Sequence, residues 1–244
     1  MNTPKDFNIS SSVSERTLDR IVKFDERSRN FSVADILTPA PLKSKNWSSK
    51  YWLDQGRQGA CVGFGWSQEL GAAPVVVPVT NDSALAVYHR AQQLDDTPGE
   101  NYSGTSVLAG AKAIQEQGYM PVYRWAFSLE DMVTALSQHG PVVLGLNWYE
   151  NMFNPDADGF LRPTGALAGG HCLCARGVKF VWPAGVEKTF ANLDLDKSSV
   201  KIRNSWGKSW GINGEAYFSL RDMQTLLSDS GEACVPVSRV KPST

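Results

Sequence analysis

The sequence has few of the features that mark exported, membrane-bound or nucleic-acid-binding proteins. It contains no apolar run of about 18 residues that could span a membrane, and residues 1–14 lack the basic start and apolar core of a secretory signal. The formal net charge is only −1, which argues against a surface that binds polyanions. We therefore expect an unexported protein with neither a membrane nor a nucleic-acid partner.

Cysteine is also scarce, with four residues in a chain of 244. The four are too few and too unevenly spaced for a disulfide scaffold, so the sequence favours a reducing compartment. If Cys172 and Cys174 lie on one strand, both thiols face one side and His171 faces the other. Buried structural thiols explain this pair most simply. A zinc site would need further ligands at finger-like spacing, which the sequence lacks, so we predict no metal and no cofactor.

The hydrophobic periodicity changes near residue 140. Helical patterns precede this point and strand patterns follow it, which predicts an α+β protein with a cleft between two packed halves. We predict a polar arm at 1–38 and a domain at 39–244, with its helical part at about 54–140 and its strand-rich part at about 141–240. The predicted helices are 61–73, 83–94, 105–117 and 129–138, and the predicted strands are 142–146, 171–178, 179–182, 200–204 and 215–219.

One cysteine stands at the start of an apolar segment. A turn containing Gly56 and Gly59 precedes Cys61, and the residues that follow predict a buried helix. The N-terminus of a helix carries a partial positive charge and unpaired N–H groups, both of which favour a thiolate. Cys61 is therefore the candidate nucleophile.

The sequence contains only three histidines, so few residues can serve as its general base. His89 lies in a predicted amphipathic helix and is expected at the surface, and His139 sits at a helix end, where a dipole interaction explains it. His171 instead follows Gly169 and Gly170, which permit close approach, and it begins a strand of the second half. A thiolate and an imidazole facing each other across a cleft form an ion pair and exchange a proton during acyl transfer. His171 is therefore the candidate base.

Two further polar residues complete the candidate site. Asn204, at the end of a predicted strand, can fix the orientation and tautomer of the imidazole while Trp206 shields the hydrogen bond from water. Taken alone, Asn204 is equally well explained as a turn residue. Gln55 precedes Cys61 by six residues, and its side-chain amide together with the Cys61 N–H can stabilise a developing oxyanion.

Three motifs, in this order, resemble those of papain-like cysteine peptidases over about residues 54–220. They are Gln55-Gly56-x-x-Gly59-x-Cys61, Gly169-Gly170-His171 and Asn204-Ser205-Trp206-Gly207-x-x-Trp210-Gly211-x-Asn213-Gly214. The resemblance implies a papain-like fold with a helical left half, a β-barrel-like right half and the active-site cleft between them. It also implies that Cys61 is the nucleophile, His171 the acid and base, and Asn204 the orienting residue, with Gln55 and Cys61 forming the oxyanion hole.

The same resemblance places other residues around the cleft. Trp206 and Trp210 are expected to shield the site, and Gly104, Thr105 and Gly170 to line the cleft. Members of the family generally select substrates through the pocket for the second residue before the cut. Its expected walls are residues 104–106, 120–121 and 166–168.

The sequence departs from eukaryotic members at three points. Gln58 stands where they usually carry a disulfide cysteine, and Val62 stands where they usually have tryptophan. We also expect no pro-domain of the usual length before the catalytic part. These departures resemble the compact enzymes of bacteria and their phages, so a cytoplasmic or virion-associated protein is expected. What restrains such an enzyme is an open question, and one hypothesis is that the arm before Asp35 fills the cleft.

The predicted function is hydrolysis of peptide bonds in a peptide or protein substrate through a thioester acyl-enzyme. An acyltransferase or transpeptidase would use the same residues, with an amine taking the place of water. A third interpretation is a structural virion protein that keeps the fold without catalysis. The polar residues of the candidate site argue against it, because polar side chains are costly to bury without use.

Overall fold

Five α-helices and seven β-strands occur in the part of the chain that the computed structural model describes, residues 16–96 and 103–242. The helices are α1 (Cys61–Leu70), α2 (Asn81–Leu94), α3 (Val107–Glu116), α4 (Leu129–Gln138) and α5 (Leu220–Ser228). The strands are β1 (Lys45–Asn46), β2 (Val122–Trp125), β3 (Val142–Tyr149), β4 (Leu167–Lys179), β5 (Ser199–Arg203), β6 (Glu215–Ser219) and β7 (Glu232–Val237). Short 3-10 helices span Glu26–Phe31, Val33–Ile36 and Glu150–Met152. No helix within the described residues has the length and apolar character needed to cross a membrane.

The strands form one antiparallel sheet in the order β2-β7-β3-β4-β5-β6, with β1 added to the end of β4. The long strand β4 pairs with β3 on one side and with β5 on the other. Among the described strands, β2 and β6 end the sheet and do not pair with each other. The sheet is therefore open, which corrects the barrel-like description of the second half.

The sheet separates two hydrophobic cores, because alternate side chains of a strand point to opposite faces. On one face, Val143, Cys172 and Cys234 pack with residues of α1, α2 and α3. On the other face, Leu144 and Leu173 pack with residues of α4 and α5. Helix α4 thus belongs to the second core, although it precedes the strand-rich part of the chain.

Most predicted elements are found, with shifts at their ends. The predictions for 129–138 and 215–219 match α4 and β6. The helix predicted for 61–73 ends earlier, at Leu70, with Gly71 as its cap. The separate strands predicted for 171–178 and 179–182 are wrong, because β4 continues to Lys179 and no strand follows at 180–182. Strands β1, β2 and β7 and helix α5 were not predicted.

A buried ion cluster fixes the end of β5. Glu215 Oε1 accepts hydrogen bonds from Arg203 Nε at 3.1 Å and from Arg203 Nη2 at 2.7 Å, and it also accepts one from Arg176. Arg203 donates to the Tyr51 carbonyl as well. The cluster ties β4, β5 and β6 to the segment that leads into α1, and it thereby fixes the position of Asn204, which follows Arg203.

Candidate active site

Cys61 is the first residue of α1 and lies where this helix meets the sheet. All ten residues of α1 are buried. A Cβ at Gly65 would lie 2.8 Å from the Cys172 sulfur, so only glycine lets α1 approach β4 this closely. Backbone hydrogen bonds link the Cys61 thiol to Cys172 and to Asp19. Cys172 directly follows His171 in β4, so helix α1 packs against the strand that carries the candidate base.

The His171 imidazole is held by one hydrogen bond and two aromatic rings. Its Nε2 lies 2.8 Å from Asn204 Oδ1, which also accepts the Ser205 N–H at 2.8 Å. An amide oxygen only accepts, so in the neutral ring Nε2 carries the proton and Nδ1 does not. Nδ1 is buried and has no hydrogen-bond partner among the described residues. The ring stacks on Trp206, with centroids 5.0 Å apart, and meets the edge of Trp148 at 4.9 Å.

Burial governs the protonation of both residues. Neither Cys61 nor His171 has exposed surface. Burial raises the pKa of the Cys61 thiol to about 11, although backbone hydrogen bonds and the nearby Arg20 act to lower it. It lowers the pKa of His171 to about 4, against the effect of the Asn204 hydrogen bond. In this covered state, burial therefore opposes the ion pair expected from the sequence.

The Gln55 side chain is buried and held at both ends. Its Oε1 accepts the Ser205 hydroxyl at 2.6 Å. Its Nε2 donates to the Gln58 carbonyl at 2.8 Å and to the Thr17 carbonyl at 3.2 Å. The amide group that the sequence assigns to an oxyanion is thus directed at a carbonyl oxygen from another part of the chain.

Residues 16–21, which we call the cleft segment, run between two walls of the site. The Arg20 N–H donates to the Gly170 carbonyl at 2.9 Å, and the Ile21 N–H donates to the Thr105 carbonyl at 2.9 Å. Gly170 belongs to β4 and Thr105 precedes α3. Two of the three positions predicted to line the cleft, Gly170 and Thr105, therefore face each other across the chain's own backbone.

Asp19 lies at the centre of the cleft segment. Its carboxylate accepts a hydrogen bond from the Ser103 hydroxyl. Gly104 has a φ of +88°, and a Cβ there would collide with the Asp19 carbonyl. The predicted wall residue Gly104 thus accommodates this segment both by its backbone conformation and by its lack of a side chain.

Arg16 holds the other end of the cleft segment against the tryptophans. It donates to the Asp54 carboxylate at 3.1 Å and to the Trp206 carbonyl at 3.4 Å, and its guanidinium carbon lies 5.6 Å from the centroid of the Trp206 ring. Trp210 meets the edge of Trp206 at 5.4 Å and donates its Nε1–H to the Phe153 carbonyl at 2.7 Å. The two predicted tryptophans therefore form one continuous wall.

Known proteins of similar sequence and structure identify the fold. No protein-family model matches the chain. An uncharacterized peptidase C1-like protein of Acanthamoeba polyphaga mimivirus is 21% identical, over 89% of this chain and 74% of that protein. Bromelain protease from Ananas comosus, solved with an inhibitor, has a TM-score of 0.52 at 14% identity over 78% of this chain and 94% of its own. Xylellain, a cysteine protease from Xylella fastidiosa, has a TM-score of 0.65 at 17% identity, over 93% of this chain and 97% of its own. The fold is papain-like.

Some residues expected to form a specificity pocket in this papain-like fold lie elsewhere. Gly104 and Thr105 line the cleft, but Met120 is buried in the core formed with α1, α2 and α3. Pro121 is exposed at the surface, as are residues 166–168. The expectation for 120–121 is therefore corrected.

Three residues of the site were not indicated by the sequence. Ser205 lies inside a matched motif, where its hydroxyl orients Gln55. Arg20 and Glu232 form a buried ion pair next to the cleft. They are far apart in the chain, so no local pattern connects them.

The two remaining histidines, His89 and His139, lie on helix α2 and at the end of helix α4. His89 is exposed on α2, with its Nδ1 3.4 Å from Gln92 Oε1. His139 caps α4, and partial burial lowers its pKa. Within residues 16–96 and 103–242, no three His, Cys, Asp or Glu side chains are grouped so that they could hold a metal ion.

The raised pKa of Cys61 predicts how its alkylation depends on pH. Iodoacetamide reacts with the thiolate, whose fraction rises about tenfold per pH unit below the pKa. Because burial raises the pKa of Cys61 to about 11, its alkylation in the full chain should be slow at pH 7 and should climb steadily to pH 9. Mass spectrometry of the peptide containing Cys61 measures the rate. A plateau below pH 8 would show that the thiolate already forms in the covered state.

Proposed function

We propose that the protein is a cysteine peptidase whose cleft is covered by its own residues 16–21. One observation carries the proposal: His171 Nε2 is held by Asn204 while Nδ1 is left without a described partner. This is the arrangement that a general base needs, with one nitrogen oriented by a fixed acceptor and the other available for a proton. The likeness to xylellain and bromelain, both named as proteases, supports the same activity.

Catalysis begins once the cleft segment has left the site. His171 Nδ1 takes the proton from Cys61 Sγ, and the thiolate attacks the carbonyl carbon of the substrate. The carbonyl π electrons move to the oxygen, which becomes an oxyanion. The Cys61 N–H and Gln55 Nε2 donate hydrogen bonds to it.

The imidazolium then completes the first half of the reaction. It gives its proton to the leaving nitrogen, the C–N bond breaks, and a thioester to Cys61 remains. His171, neutral again, takes a proton from water, whose oxygen attacks the thioester. The carboxylic acid leaves, and Sγ recovers its proton from the imidazolium.

The Thr17 carbonyl supports the role of Gln55 in this scheme. It receives the Gln55 Nε2–H at 3.2 Å, as a substrate oxygen would. From the same segment, a backbone hydrogen bond of Asp19 acts to lower the pKa of the Cys61 thiol. The cleft segment therefore interacts with both Gln55 and the candidate nucleophile.

Product analysis tests the proposal and separates it from its alternatives. A chain lacking residues 1–30 is incubated with a peptide library, with and without an added primary amine, and the products are identified by mass spectrometry. Peptidase activity predicts new carboxyl termini in both samples. Amide products as the main species would indicate acyl transfer, and an unchanged library would support a structural protein with an idle site.

A further inference from the structure

Arg20 projects from the cleft segment into a closed pocket beside the nucleophile. Its side chain has 0% of its surface exposed, and the side chain of Glu232 in β7 has 1% exposed. Arg20 Nη1 lies 3.6 Å from Glu232 Oε2. Nη1 and Nη2 also donate to the Ser230 carbonyl, at 3.2 and 2.8 Å. The pocket therefore offers a guanidinium both a carboxylate and a carbonyl oxygen.

The shape of this pocket depends on Gly145 in β3. Gly145 pairs with Cys172 of β4 on one side and with Glu232 of β7 on the other. A Cβ at Gly145 would lie 2.9 Å from Arg20 Nε, 3.0 Å from Glu232 Oε2 and 2.7 Å from Val107 Cγ2. A larger residue at Gly145 would thus fill the space that the guanidinium occupies.

The cleft walls bind the backbone next to Arg20 through hydrogen bonds that the backbone of another extended peptide can also make. The Arg20 N–H donates to the Gly170 carbonyl and the Ile21 N–H to the Thr105 carbonyl. Such main-chain bonds hold an extended peptide whatever its sequence, and pockets for its side chains then provide selectivity. The cleft walls therefore bind the backbone of the peptide, and the pocket that contains Glu232 distinguishes between its side chains.

Arg20 fills the pocket incompletely. Its Nε and both carboxylate oxygens of Glu232 have no hydrogen-bond partner among the described residues. Burial raises the pKa of the Glu232 carboxyl to about 7, and the Arg20 guanidinium counteracts that shift. A guanidinium that approached Glu232 in the two-bond geometry preferred by arginine would satisfy these oxygens better than Arg20 does.

We propose that the Glu232 pocket is the specificity pocket of this protein, and that it selects peptides that carry arginine. Arg20 is then the chain's own occupant of the pocket. That the selected peptide is a substrate rests on the proposed peptidase function, but the selection of arginine can be measured without turnover.

Binding to a full-length, catalytically inactive chain tests the proposal. The variant Arg20→Ala/Cys61→Ser is titrated, by fluorescence anisotropy, with labelled peptides that differ only in carrying arginine, lysine, citrulline or leucine at one position. Citrulline keeps the shape of arginine but lacks its charge. Because hydrogen bonds to a charged group are worth about a factor of ten or more, the arginine peptide should bind at least about tenfold tighter than the citrulline peptide.

Two additional substitutions test whether the preference for arginine over citrulline depends on Glu232. Glu232→Gln, added to the same variant, should bring the arginine and citrulline peptides within about twofold of each other. Glu187→Gln, at an exposed position in the loop after β4, should leave the preference unchanged. If circular dichroism shows that Arg20→Ala does not fold, Arg20→Gln, which keeps most of the side-chain volume, replaces it.

The outcomes separate this proposal from the peptidase function. Equal binding of arginine and citrulline peptides, or a preference that survives Glu232→Gln, overturns the arginine pocket even if the protein cleaves peptides. A preference that Glu232→Gln removes supports the pocket, even if the chain with Cys61 intact cleaves nothing. In the latter case it is the peptidase function that fails.

Discussion

Replacing Cys61 by alanine should abolish peptide cleavage and labelling by a thiol-directed epoxide. Removing the nucleophile of a peptidase typically lowers kcat by about 10⁴-fold or more, because the acyl-enzyme can no longer form. In this chain the loss should be as severe, because alanine leaves no thiol that could form an acyl-enzyme. The measurements are initial rates on a library-derived peptide and mass spectrometry of the labelled protein.

Cys174→Ala is the matched control. Cys174 is also buried, and its thiol contacts the Ala175 carbonyl at 3.8 Å. Burial raises its pKa even further than that of Cys61, so its thiol should stay unreactive. We expect this variant to keep both turnover and labelling. Equal labelling of the two variants would assign the nucleophile to another residue.

The candidate site could be proposed from the sequence because its residues lie in short motifs at the ends of regular elements. Cys61 begins a helix that is buried along its whole length, and His171 lies in the longest of the described strands. Asn204 directly follows β5, and its orientation is fixed by the Ser205 N–H in the same motif. Such local signals survive in a single sequence, and in the structure a hydrogen bond joins His171 to Asn204.

Elements fixed by distant contacts were not predictable in the same way. Strand β7 is buried at five of its six positions, so it lacks the alternation of a half-exposed strand. Strand β2 has only four residues, and it is placed by pairing with β7. The protonation of Cys61 and His171 depends on distant contacts too. It is governed by burial beneath the cleft segment, and the path of that segment is set by contacts on both walls.

Deleting residues 1–30 should raise the rate of peptide cleavage about 100-fold. The cleft segment occupies the backbone acceptors of Gly170 and Thr105 and the Gln55 donor, so a substrate must displace it. If the covered form outnumbers the open form by about 100 to 1, apparent activity falls by the same factor. The buried Arg20–Glu232 pair is consistent with this ratio, since breaking such a pair costs about 3–5 kcal/mol.

A shorter deletion provides the matched control. Removing only residues 1–15 leaves the whole cleft segment in place, so the rate should remain within about twofold of that of the full chain. Val33, buried in the second core, is retained in both deletions. If the longer deletion does not fold, Arg20→Glu in the full chain serves the same purpose. It sets two carboxylates against each other in the pocket and should drive the segment out.

Adding the cleft segment back as a separate peptide distinguishes occlusion from a change in stability. A peptide of residues 16–24 should inhibit the chain that lacks residues 1–30, because it can restore the bonds to both walls and refill the Glu232 pocket. Inhibition should be weaker than in the full chain, where the covalent link gives the segment a millimolar effective concentration. Replacing its arginine with citrulline should weaken it by a further factor of about ten. Equal rates for the two deletions, together with an inert peptide, would mean that residues 16–21 lie in the cleft without restraining the enzyme.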